Sequence, residues 1–143
     1  MKIAQYGIAI VVIHEIVNGL HGLAHIKIPV PLSLIQSSFV LVVIFLAPII
    51  AAILLWTRFY RIGLWFLLSA MIGSLLVSIY IHLIAMSPAH ISQVSWEGWG
   101  LLFYITAILS LVIDGLGCWL CGQALKSIRQ PAEVLADSDM AQV

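Results

Sequence analysis

Four stretches of more than twenty mostly apolar residues fill nearly the whole chain, over residues 3–26, 34–56, 62–86 and 99–125. A helix needs about 20 such residues to cross roughly 30 Å of hydrocarbon, so each stretch can span a bilayer. Lys27-Ile28-Pro29-Val30-Pro31 divides the first two, because proline lacks an N–H and restricts the residue before it. Thr57-Arg58-Phe59-Tyr60-Arg61 is a short charged turn between the second and third. The longest connection, residues 87–98, carries Pro88, His90 and Trp96 and can fold over something. The pattern predicts an all-α integral membrane protein, an antiparallel up-down bundle of four transmembrane helices over residues 1–126. A polar, mobile cytoplasmic tail is expected over residues 127–143, where Pro131 and three acidic residues stand. Pro48 lies inside the second stretch and predicts a kink, with the carbonyl it frees satisfied by a neighbouring helix.

Charge supports the same class. Charged residues make up 8% of the chain, against about 25% in a soluble domain. Too few are present to cover a water-facing surface. Six basic residues balance six acidic ones, so there is no basic footprint for nucleic acid. The apolar content also excludes intrinsic disorder. The lipid bilayer is the expected surrounding. His14, Glu15 and Asn18 interrupt the first apolar stretch, which is also too long for a signal-peptide core, so it reads as a retained helix. Lys2, Arg58, Arg61, Lys126 and Arg129 fall on one side of the expected bundle and Lys27 on the other. That bias predicts a cell (inner) membrane protein with both termini cytoplasmic. Cys118 and Cys121 form a C-x-x-C inside the fourth apolar stretch, where the packing reading is favoured over redox or metal chemistry.

The residues that do not suit a bilayer carry the functional signal. Ionisable groups are costly there, and His14, Glu15, His21, His25, His82 and Asp114 all fall within the apolar stretches. At about 100° per residue, His14, Asn18, His21 and His25 share an arc of roughly 60° on the first helix. On the fourth helix, Gly100, Ala107, Ser110, Asp114, Cys118 and Cys121 share an arc of roughly 80°. The two stripes are expected to pack on each other, since small residues let helices approach closely. His21 lies about 9 Å below the outer edge by helical rise, and His82, on the third helix, about 7 Å. His25 lies one turn above them, and His90 in the outer connection is placed to cap the group.

Histidines at i and i+4 on one face, with a third from a facing helix, suit a transition metal such as zinc, copper or iron. His21, His25, His82 and His90 are therefore the candidate metal ligands. His14, Glu15, Asn18 and Asp114 are expected to form a second shell, a proton path or a second ion site around them. The structural alternative is that these side chains only bond helix to helix. Glu15 cannot act as a zinc-protease base by pattern, because His14 and His21 are seven apart rather than four. If the metal keeps an open position, a membrane metalloenzyme or redox protein follows. A bis-histidine haem b electron-transfer subunit, with His21 and His82 as axial ligands, is the rival chemistry. Metal-ion or proton permeation and a non-catalytic subunit or assembly factor of a membrane complex are further alternatives. A homo-oligomer or a membrane-complex partner is compatible with each.

Overall fold

A computed structural model describes the backbone of residues 2–28, 30–85 and 88–140, and the side chains of residues 3–28, 30–85 and 88–128. All described regular structure is helical. Helix α1 spans Lys2–Lys27. The second helical rod is built of α2 (Leu34–Phe39), a π-helical stretch (Val40–Leu46) and α3 (Ala47–Leu55). Helix α4 spans Tyr60–Ile79 and continues as a π-helical turn, Tyr80–Ile84. A 3-10 turn, Ile91–Gln93, lies in the long connection, and α5 runs over Trp99–Met140. Four helices are long and apolar enough to cross a membrane: Ile3–Lys27, Leu34–Leu55, Tyr60–Ile84 and Trp99–Ile128. Past Ile128 the backbone of the polar tail stays helical to Met140, through Pro131. Met86, an expected end of the third stretch, lies outside the described residues.

Local signals set the ends of these elements. Ser33 caps α2 in a reciprocal capping box with Gln36, its hydroxyl accepting from the Gln36 N–H at 3.2 Å. Gly98 takes φ 56° just before α5, a left-handed turn that a side chain would resist. The π-helical stretches are the less ordinary feature. Such turns widen a helix by one residue and are frequent at functional sites. One holds Ile44 and the other holds His82.

The packing is layered along the helices. At one end Val11, Ala51, Leu55, Leu64, Leu67, Met71, Cys121 and Ala124 form an apolar core. Cys118 packs against it, and Gly117 lets Met71 come so close that an added Cβ would meet its Cγ at 3.0 Å. At the other end Ala24, Val94, Phe103 and Tyr104 form a second, smaller core. Tyr104 ties the long connection down, its hydroxyl donating to the carbonyls of Ile91 and Val94, while Trp96 stacks on its ring. Between the two cores lies the buried polar set: His14, Asn18, His21, Ser74, Ser78, His82, Thr106, Ser110 and Asp114. Outward-facing positions are mainly apolar, Ile16, Leu76, Leu116 and Trp119 among them, each more than half exposed.

Candidate metal centre

The register of α1 on α5 is fixed by three polar contacts. His21 meets Thr106, Asn18 meets Ser110 and His14 meets Asp114. Each step of three or four residues down α1 matches a step of four up α5, so the two polar stripes face each other as expected. From the second rod comes the Ile44 carbonyl, and from α4 come Ser74 and His82.

His21, His25 and His82 form a group that could hold a metal ion, each offering one ring nitrogen, all within 4.8 Å of one another. His21 and His82 are buried and His25 is partly so. A carbonyl only accepts, so His82 Nδ1–H donates to Ala89 O at 3.0 Å and His82 Nε2 carries a lone pair. That Nε2 faces His21 Nε2 at 3.2 Å. His21 has two tautomers to choose from. When the Thr106 hydroxyl turns to His21 Nδ1, 2.9 Å away, His21 Nε2–H donates to His82 and the metal-free site is satisfied. When that hydroxyl donates to the Leu102 carbonyl at 2.7 Å, it accepts from His21 Nδ1–H, and both Nε2 lone pairs are free for a cation. Tetrahedral ligands about 2.0–2.1 Å from zinc would lie roughly 3.3–3.4 Å apart, close to what is found. The outer bonds to Thr106 and Ala89 are the kind that orient metal-binding imidazoles.

His25 adds the third ring, with its Nδ1 buried and without a hydrogen-bond partner. Its centroid lies 4.8 Å from that of His21 and 5.8 Å from that of His82. Phe103 on α5 closes one side, its fully buried ring 4.8, 5.1 and 5.2 Å from His21, His25 and His82. A cavity of about 60 Å³ opens beside the group, lined by Asn18, Ser78, Phe45 and Val77 as well as the three histidines. A water needs roughly 10–15 Å³, so the space suits an ion with a few waters.

His90 stands apart from this group. Its Nδ1 pairs with the Ser92 hydroxyl at 2.8 Å and its Nε2 donates to the Leu83 carbonyl at 3.3 Å. It organises the connection rather than capping the three rings. Glu15 makes no contact with an imidazole N–H either. Its Oε1 is buried without a hydrogen-bond partner, beside an apolar groove lined by Ile49, Ala52 and Ile53.

The deeper layer is a polar network in which one atom, Asp114 Oδ1, is buried without a well-aligned hydrogen bond. Pro48 has no N–H, so it cannot take up the Ile44 carbonyl four residues back. His14 Nε2–H donates to that carbonyl instead, at 2.9 Å. His14 Nδ1 lies 2.9 Å from Asp114 Oδ1, with both side chains fully buried. Ser74 donates to Asp114 Oδ2 at 2.7 Å. Asn18 donates to the His14 carbonyl at 3.0 Å and accepts from Ser110 at 3.3 Å.

Sequence spacing alone missed Phe103, Thr106, Ser74 and the carbonyls of Ile44 and Ala89. Thr106 could have been found, since it falls one turn from Ser110 on the polar stripe. Pro48 announced a free carbonyl but not its partner. The Ala89 contact depends on the path of the connection and leaves no sequence signal.

No protein-family model matches this chain, and no match is found among curated proteins or solved structures. The functional reading therefore stands on the site itself.

Proposed function

We propose that the chain is a four-span membrane protein that binds a transition-metal ion through His21, His25 and His82. The mainly apolar outward faces support insertion, and Ser69, exposed on α4, turns its hydroxyl to the Trp65 carbonyl at 2.9 Å. The five-to-one distribution of Lys and Arg supports cytoplasmic termini, which puts the metal centre towards the outer face. The observation that carries the reading is the convergence of three imidazoles, one ring nitrogen of each within 4.8 Å of the others, with His21 and His82 oriented from behind by Thr106 and Ala89. Zinc, copper and iron all suit three imidazoles. With three protein ligands a further coordination position remains, and the cavity beside the rings gives a water or small substrate room to occupy it. A metalloenzyme or redox role at this position is the fuller form of the proposal.

A haem b centre does not suit the same residues. Axial ligands must stand on opposite faces of a porphyrin, and here His25 and Phe103 pack against both His21 and His82. Phe103 and a cavity of about 60 Å³ leave no slot for the macrocycle.

The deciding test is elemental analysis and a visible spectrum of detergent-purified protein, beside a His21→Ala/His82→Ala variant. Near-stoichiometric metal in the wild type, lost in the variant, is the expected result. Metal-free, colourless protein that takes up no added zinc, copper or iron would overturn the proposal.

A further inference from the structure

His14 and Asp114 stand 2.9 Å apart, Nδ1 to Oδ1, with both side chains fully buried. The Ile44 carbonyl can only accept, so His14 Nε2 must carry a hydrogen. Asp114 Oδ2 already accepts from Ser74. The remaining contact, Nδ1 to Oδ1 at 2.9 Å, needs one proton, carried on either atom. With it the pair has no net charge, and without it the pair carries one negative charge.

The surroundings are arranged for both states. Asn18 Nδ2 lies 3.3 Å from His14 Nδ1 as well as 3.0 Å from the His14 carbonyl. When Nδ1 holds the proton, the amide has the carbonyl to bond. When Nδ1 has lost it, the amide N–H can turn to the bare nitrogen, which keeps that lone pair from standing unbonded against the carboxylate. Asn18 also lines the cavity that His21, His25 and His82 share. One residue thus touches the pair and borders the candidate metal centre. His14 lies two turns from His21, roughly 10 Å along α1.

Few other charges compete. On α1, Glu15 neighbours His14 in sequence but lies beside the groove with Ile49 and Ile53. On α5, Cys118 is one turn further along, packed on the apolar core. Leu34–Leu55 holds no titratable side chain, and α4 has none between Arg61 and Tyr80. The three histidines lie on the cavity side.

A divalent ion entering among neutral imidazoles brings two uncompensated positive charges into a buried apolar setting. We infer that the proton shared by His14 and Asp114 leaves when a divalent cation occupies the histidine group, making this pair the metal's counter-charge. The balance is simple. The aqueous ion and the protonated pair go to the bound ion, the anionic pair and one proton delivered to buffer by way of the cavity waters. No electron moves. This rests on the metal-binding reading above, and the test separates the two.

Zinc is titrated into detergent-solubilised full-length protein, and the released protons are counted with a pH indicator at several pH values. Asp114→Asn is the comparison, because its amide can donate to His14 Nδ1 and accept from Ser74 with no proton to lose. Wild type should release about one more proton per zinc than the variant. Its zinc affinity should also climb about tenfold more steeply per pH unit. The difference removes protons from zinc-bound water or from the ligands, which both proteins share. Equal release by the two proteins overturns the inference while leaving the metal site standing. Zinc that does not bind wild type, or binds His21→Ala/His82→Ala as well, overturns the metal reading and the inference with it. Should Asp114→Asn fail to fold, infrared difference spectra of wild type with labelled aspartate carboxyls take its place. A zinc-induced change in a buried carboxyl band is expected, and a silent carboxyl region overturns the inference.

Discussion

At His14 and Asp114 an imidazole faces a carboxylate at 2.9 Å, whereas two turns along α1 the Nε2 atoms of two imidazoles, His21 and His82, face each other at 3.2 Å. Both layers are buried, both draw on α1, α4 and α5, and both place an imidazole opposite a hydroxyl or carbonyl. They differ in proton count. The deeper layer is complete with the protons its own groups supply, so it can hold helices together unaided. The other layer turns three ring nitrogens on one another, so a cation can take the place of the proton between His21 and His82. Polar groups inside an apolar bundle are thus of two kinds, distinguished by where their hydrogens point rather than by residue type or burial.

If this contrast holds, removing one partner from the closed layer is the most damaging change. Asp114→Leu leaves His14 facing an apolar side chain and strands the Ser74 hydroxyl. A loss of about 3–5 kcal/mol is expected, as for breaking a buried ion pair. Asp114→Asn keeps both hydrogen bonds and should lose far less. Reversible unfolding in mixed detergent micelles reads both values, and equal losses for Leu and Asn would show that the network contributes nothing specific.

The open layer should respond to metal instead. Zinc at about a hundred times its Kd should stabilise wild type by about 2.7 kcal/mol, the ordinary mass-action result. In His21→Ala/His82→Ala that increment should vanish, while the apo protein loses less than Asp114→Leu does. A variant that unfolds as readily as Asp114→Leu without metal would erase the distinction between the layers.

Thr106→Val sharpens the same point with a residue that touches no metal. Valine keeps the shape but cannot accept from His21 Nδ1–H, so the proton is free to move to Nε2 and block the lone pair. Zinc affinity should fall between about tenfold and a hundredfold, the range for losing an outer partner of a ligating histidine. Isothermal titration gives the number directly, and an unchanged affinity would mean that Thr106 does not set the tautomer.

How much of this could be read from the chain divides along physical lines. The four long helices were legible, because an apolar run of that length leaves few alternatives, and TM-length bounds agree to within a few residues. The facing of the α1 and α5 stripes was legible from helical angle, and the grouping of His21, His25 and His82 from angle and depth. Position failed where the helix is not regular. Pro48 was expected to free a carbonyl for a neighbouring helix, but neither its partner His14 nor the π-helical stretch that holds Ile44 could be read from spacing. Periodicity describes side chains and is silent on a freed backbone group. The long connection was misjudged for a related reason: His90 was placed by sequence distance, but Tyr104 pins the chain so that Ala89, not His90, meets His82.

That last reversal yields the smallest expected effect. His90 bonds Ser92 and the Leu83 carbonyl, contacts that lie within the connection and at the end of the rod before it. His90→Ala removes those bonds but leaves Tyr104 holding Ile91 and Val94, and so leaves Ala89 over His82. Zinc affinity should then stay within about twofold of wild type, the reach of a partly exposed substitution worth roughly half a kcal/mol. A fall of more than about tenfold, 1.4 kcal/mol, would mean that the connection swings His90 onto the ion once it binds. The open layer would then be a closed four-histidine site, without the free coordination position that a metalloenzyme requires.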